Sequence, residues 1–421
     1  MNTLIKNAVI IDPNSKYNGQ IADILISKGV ITTIGKNLNV KANQIIEQKG
    51  LHVSPGWMDI FADFADPGYE YRETLESGAN AAAAGGFTDV CVIPNTQPAI
   101  DQKSVVEYII QKGKSLPITV HPLGCITRKC EGTELAEMYD MKMSGAVAFT
   151  DGTKPVQSAG VMVKALQYVK PFNGVVIQLP DDRSISPGGL VNEGIPSTRL
   201  GLPGRPEIAE EILIHRDIKL NEYAGSHIHF TGISTQQSVK AVKDARSRKI
   251  NISCSATPYH LFFCDEDLAT YDTNLKVNPP LRNSKDRKAL QKAVMEGLVD
   301  CITSHHTPYN NDHKVVEFEA AKNGMIGLQT AYAVINTVLN GISQEKIVEL
   351  MAINPRKILG LAIPSIQEGN EASLTLFNPA QKWGLQKKDI LSLSSNSPFT
   401  GIELTGKPVG IFHKKKFINN Q

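Results

Sequence analysis

A predominant sign of charge is missing from this chain. Its formal net charge is +2, and the charges are spread along its length, so neither nucleic acid nor a membrane surface is an expected partner. The single basic run, His413-Lys414-Lys415-Lys416, reads as a solvated turn. Long apolar runs are missing too, and none approaches the roughly 20 residues of a membrane span. Paired cysteine motifs are absent. Cys91, Cys125, Cys130, Cys254, Cys264 and Cys301 are scattered, with no C-x-x-C. Reduced core thiols are therefore expected, and with them a cytoplasmic location. The opening residues, MNTLIKNAVIIDPN, read as a strand and a turn, with no small-residue cleavage site of a secretory leader. Internal repeats and low-complexity segments are lacking as well.

What remains is ordinary globular material. The chain has 421 residues and is 41% apolar, enough for a large barrel and a smaller domain. Residues 1–53 read as β, with ADILISKGVITTIG alternating and turning at Lys28-Gly29 like a hairpin. From residue 54 to 360 short apolar runs alternate with helical segments. FTDVCVI precedes SVVEYIIQKG, AVAFT precedes VMVKALQYV, and SHIHFTGIS precedes SVKAVKDARSR. Runs without strict alternation suit strands buried on both faces. The series predicts a (β/α)8 barrel, with a doubly wound open sheet as the other solution of that period. Residues 361–421 return to β, in ASLTLFNP and PVGIFHKKKFI. Both terminal segments are expected to form one small β domain.

In a barrel of this kind the functional residues follow the strands. The segments in those places are PGWMDIFADFADPGYEYRETLESG, GGFTDVCVIPNTQP, NEGIPSTRLGLPGRPEIAEE, ATPYHLF, NLKVNPPLR and ITSHHTPY. Together, in order and spacing over essentially the whole chain, they resemble dihydroorotase of the long-chain type in the amidohydrolase superfamily. The resemblance implies a (β/α)8 TIM barrel with a β domain from both termini. It also implies two zinc ions that polarise a cyclic amide and generate a hydroxide, with an aspartate moving the proton.

Carried over residue by residue, that chemistry is mostly absent. The family's D-x-H-x-H, whose histidines bind metal, stands here as Asp59-Ile60-Phe61-Ala62-Asp63. The arginine that grips the substrate carboxylate is replaced by Ala65. Further metal histidines fall on Leu179 and Gly232. The catalytic aspartate position is His305, and the substrate-contacting histidine position is Tyr309. Asp151 retains the bridging acid, and Asn95 a substrate contact. Phe, Leu and Gly offer zinc no side-chain ligand, and a methyl group cannot replace a bidentate arginine.

The remaining polar residues leave two expectations. Asp63, Asp151 and His305 converge on one divalent metal, or they fill the old cavity, with His305 paired to one of the acids. His227 and His229 should share one face of a strand, either as a metal pair or as structural residues. His260 is expected to pack or make a structural hydrogen bond. Asn95 either holds a small carboxylate or caps a turn. The NEGIPSTRLGLPGRPEIAEE segment is either a surface or subunit contact or plain loop architecture. Pro206 and Glu207 are placed at the start of the following helix.

Three functions follow. The first is a catalytically inactive member without a cofactor, acting in pyrimidine biosynthesis as a structural partner of aspartate transcarbamoylase, a role the resemblance implies. The second is a cyclic-amide hydrolase with a rebuilt single-metal site. The third is dihydroorotase activity despite the replacements. A homo-oligomer is the expected assembly.

Overall fold

The computed structural model describes residues 2–420. The N-terminal segment forms strands Asn2–Ile10, Ile21–Ser27 and Val30–Gly35. Ser27 pairs with Val30, and Lys28 and Gly29 both take positive φ, 52° and 87°. Such a two-residue turn twists with its strands, as the sequence predicts. Asn2–Ile10 also pairs in parallel with Gln44–Glu47 and His52–Pro55. His52–Pro55 then pairs antiparallel with Leu374–Gly384 from the other end of the chain. Glu403–His413 and Lys416–Asn419 complete that side. The inward-facing Ile5, Ile24, Val53, Leu374 and Leu376 share one core, so the two termini fold as a single sheet.

The barrel begins immediately after this sheet. Its parallel strands are Trp57–Ala62, Phe87–Val92, Thr119–Pro122, Val175–Gln178, His227–Phe230, Ile252–Ala256 and Cys301–Ile302. The predicted AVAFT strand narrows to Phe149, which bridges Gly124 on one side and Val176 on the other. It supplies the eighth position of the (β/α)8 barrel. Asp59 closes the ring. It is buried and accepts from Thr303 Oγ1 at 2.8 Å and from the Ser304 amide at 2.6 Å. The Asp63 amide donates to His306 O at 2.8 Å across the same seam. These bonds place the residues after the first and last strands side by side at the mouth.

Helices such as Leu75–Ala84, Ala159–Val169 and Gln236–Ser247 pack around the strands. The long helix Ile208–Ala224 starts one residue after Glu207, which stands at its cap. Within the preceding loop, Arg205 Nη1 donates to Asn278 Oδ1 at 2.7 Å. Buried Arg282 joins Asn192 at 3.1 Å and Glu210 at 3.4 Å. Internal ties of this kind fit loop architecture. No helix among the described residues is long and apolar enough to cross a membrane.

One excursion leaves the terminal sheet. Between Leu374–Gly384 and Glu403–His413 the chain crosses to the barrel mouth. There Ser392 Oγ and the Leu393 amide donate to buried Glu73, which also meets His306 Nε2 at 3.3 Å. Asn396 Nδ2 donates to Thr307 O and Gly324 O, both at 3.1 Å.

Candidate functional site

The strand ends surround a cavity of about 720 Å³ lined by Phe61, Asp63, Arg72, Leu179, His305 and Tyr309, among others. Asp63 follows the first strand. Its Oδ1 accepts from the Ala65 amide at 2.8 Å, and its Oδ2 meets Arg72 Nη2 at 2.6 Å. Arg72 Nε donates to Pro308 O at 2.9 Å, and the guanidinium lies 4.1 Å over the Tyr309 ring. Burial pushes the Tyr309 phenol up, which keeps it neutral beneath the cation. A planar guanidinium suits this combination of carboxylate, carbonyl and aromatic face.

His305 follows the last strand with φ 45°. Its Nε2 meets Thr231 Oγ1 at 2.7 Å, and its ring lies 4.6 Å from Phe61. Burial drives the imidazole down to about 3, so it is neutral near pH 7. Gly232 explains why the ring fits. A Cβ on residue 232 would lie 2.5 Å from His305 Cε1, and the backbone there has φ +68°. His305 therefore fills the space that a side chain on residue 232 would need. Leu179 is buried against the cavity on the far side of the barrel.

The expected convergence of Asp63, Asp151 and His305 is corrected. Asp151 turns away from the cavity. Its Oδ1 accepts from the Ile126 and Thr127 amides, both at 2.9 Å, and its Oδ2 accepts from Thr127 Oγ1. Burial pushes this carboxyl up to about 6 despite those donors. Among the described residues, the one three-donor group close enough for a metal is Cys125, Cys130 and Asp151, which includes neither Asp63 nor His305. The alternative pairing of His305 with an acid is corrected as well, since its partner is a threonine and Asp63 is held by Arg72.

Asn95 spans two mouth loops instead of capping its own turn. Its Nδ2 donates to Asp151 O at 3.0 Å, and its Oδ1 accepts from the Thr153 amide at 2.9 Å. His227 and His229 do share a face. His227 Nε2 and His229 Nδ1 both meet Ser253 Oγ, at 3.0 and 2.8 Å, and burial lowers both imidazoles. His260 makes the expected structural bonds, to Thr257 Oγ1 at 2.8 Å and Pro279 O at 3.1 Å. Sequence reasoning missed Arg72. It lies nine residues beyond Asp63, within YEYRETLESG, and its one signal was a lone cation in a mouth segment otherwise rich in acids.

The zinc chemistry that the resemblance implies does not fit these residues. Zinc takes three or four N, O or S donors at about 2.0–2.3 Å. Here the positions of Phe61, Leu179 and Gly232 supply none, and Asp63 is engaged by a guanidinium.

Comparison with known proteins sets this site in a family. The family model described as "Dihydro-orotase-like" matches residues 50–238. Dihydroorotase from Caldicellulosiruptor saccharolyticus is 41% identical over 422 residues, covering 99% of this chain and 98% of that protein. Dihydroorotase from Acetivibrio thermocellus is 39% identical, covering 96% of this chain and 95% of the relative. Among solved structures, L-hydantoinase (dihydropyrimidinase) from Arthrobacter aurescens superposes with a TM-score of 0.87 at 22% identity, covering 99% of this chain and 96% of that one. It shares the fold. With relatives of this similarity along nearly its whole length, the chain belongs to the dihydroorotase family of amidohydrolases.

Proposed function

We propose that this chain is a non-catalytic dihydroorotase-like subunit of pyrimidine biosynthesis, serving in a homo-oligomer as a structural partner of aspartate transcarbamoylase. The observation that carries this reading is the His305 ring packed against Gly232, where the resemblance places a metal histidine; a Cβ on that residue would lie 2.5 Å from the imidazole. Two further features support it. The Asp63–Arg72 pair at 2.6 Å balances charge where a cation would otherwise be needed. An imidazole held at about 3 is a poor general base near neutral pH. The chain thus keeps the family's shape while its own mouth residues bind one another.

The test has two parts. Metal content is measured on protein purified without chelators or added metal, with dihydroorotate hydrolysis assayed against a chelated control. The expectation is less than about a tenth of an equivalent of transition metal and no turnover above the control. One or two equivalents together with turnover would overturn the inactive reading. Gel filtration with the transcarbamoylase of the same organism should then give one co-eluting species. Separate elution across micromolar concentrations would overturn the partnership.

A further inference from the structure

The sequence treats Cys125 and Cys130 as two of six scattered thiols, but the fold brings their sulfurs together. Cys125 follows the third barrel strand, Thr119–Pro122, and is fully buried. The chain then turns through Ile126 and Thr127, whose amides are held by Asp151. Lys129 and Cys130 both take left-handed backbone, at φ 54° and 52°. Two successive non-glycine residues in that region double the chain back sharply. The result is a Cys130 Sγ 2.9 Å from Cys125 Sγ. Lys129, Cys130 and Glu131 form part of the cavity wall, so Cys130, at 3% exposure, is the member of the pair that borders the cavity, whereas Cys125 is fully enclosed.

We propose that Cys125 and Cys130 form a reversible oxidation site at the barrel mouth, closing to a disulfide under a peroxide oxidant. The Cys130 thiolate attacks one oxygen of hydrogen peroxide. The O–O bond breaks, and the departing hydroxide takes up the thiol proton as water, leaving a sulfenic acid. Cys125 then attacks that sulfur, an S–S bond forms, and the S–O bond breaks to release a second water. Two thiols and one peroxide thus give one disulfide and two waters. Closure needs the sulfurs to approach by about 0.9 Å, to a bond of about 2.05 Å.

A metal is the competing occupant, because Asp151 lies within 4.8 Å of both sulfurs. Two thiolates on tetrahedral zinc stand about 3.7 Å apart at a Zn–S distance of about 2.3 Å, so the sulfurs would have to separate. Both oxygens of Asp151 already accept hydrogen bonds from the connecting loop. The carboxylate therefore organises the turn that presses the thiols together.

The sequence between the cysteines supplies a direct readout, because trypsin cuts after Arg128 and Lys129. The full-length protein is reduced, treated with hydrogen peroxide, alkylated under denaturing conditions and digested. The expected product is the peptide 115–128 joined to 130–142, two hydrogens lighter than their sum and separated again by dithiothreitol. Cys91, Cys254, Cys264 and Cys301 should remain alkylated. Cys130→Ser should abolish the linked species, and in Cys125→Ser a sulfenic acid should be trapped at Cys130 by a dimedone probe. Alkylation of both cysteines after oxidation would overturn the proposal. So would a stoichiometric zinc ion that shields them, or over-oxidised Cys130 in wild type without any linked peptide.

Discussion

Adding one carbon at position 232 tests the space argument most directly. In wild type, Gly232→Ala meets two costs. The left-handed φ of +68° penalises a side chain by about 1–2 kcal/mol. The new Cβ also lies 2.5 Å from His305 Cε1, an overlap worth about 1–3 kcal/mol in a packed interior. The imidazole cannot swing aside freely, since Thr231 holds Nε2 at 2.7 Å and the tilted Phe61 ring packs against it at 4.6 Å. In a His305→Ala background only the backbone cost remains. The four proteins of this cycle should therefore show a coupling of about 1–3 kcal/mol, with the double variant less destabilised than the sum of the singles. Equilibrium urea unfolding followed by fluorescence is suitable, because Trp57 is fully buried where the barrel begins. Equal costs of Gly232→Ala in both backgrounds, to within about 0.5 kcal/mol, would refute the claim that His305 fills the missing ligand's place.

Three other outcomes are expected. Arg72→Met should cost about 3 kcal/mol by stranding the Asp63 charge, and adding Asp63→Asn should restore most of it; a double variant as unstable as the single in urea would count against charge balance as the role of this pair. His305 has a folded pKa of about 3 against 6.5 for the free group, so the unfolded chain binds more protons and the stabilisation present above pH 6.5 is lost towards pH 3. His305→Gln removes that term, and the stability gap between wild type and variant should narrow as pH falls from 7 to 4; a constant gap would contradict a neutral buried imidazole. Asn95→Ala should cost about 1–3 kcal/mol in thermal or urea unfolding, because the Thr153 amide and Asp151 carbonyl lose their partner; an unchanged midpoint would show that the loops are held elsewhere.

The architecture was legible where residue type alone decides it. The positive-φ turn at Lys28-Gly29, the apolar runs of the barrel strands and the return to β after residue 361 all depend on local pattern. The loss of ligands was legible for the same reason, since a phenylalanine, a leucine and a glycine cannot bind metal wherever they point. Direction was not legible. Asp63, Asp151 and His305 each follow a strand, yet Asp151 turns to the amides of Ile126 and Thr127. That choice depends on a loop conformation with two left-handed residues, which no periodicity encodes. Arg72 and the Cys125–Cys130 contact were hidden likewise, because each becomes significant only when a turn folds it back on an earlier residue.

The pairing of His52–Pro55 with Leu374–Phe377 also sets a timetable for synthesis. The ribosome must add the 318 residues between Pro55 and Leu374, which at about 5–20 residues per second takes roughly 15–65 s. Throughout that interval the His52–Pro55 edge offers unsatisfied backbone groups to any passing strand. The nascent chain thus carries an open seam until Leu374–Phe377 has been made.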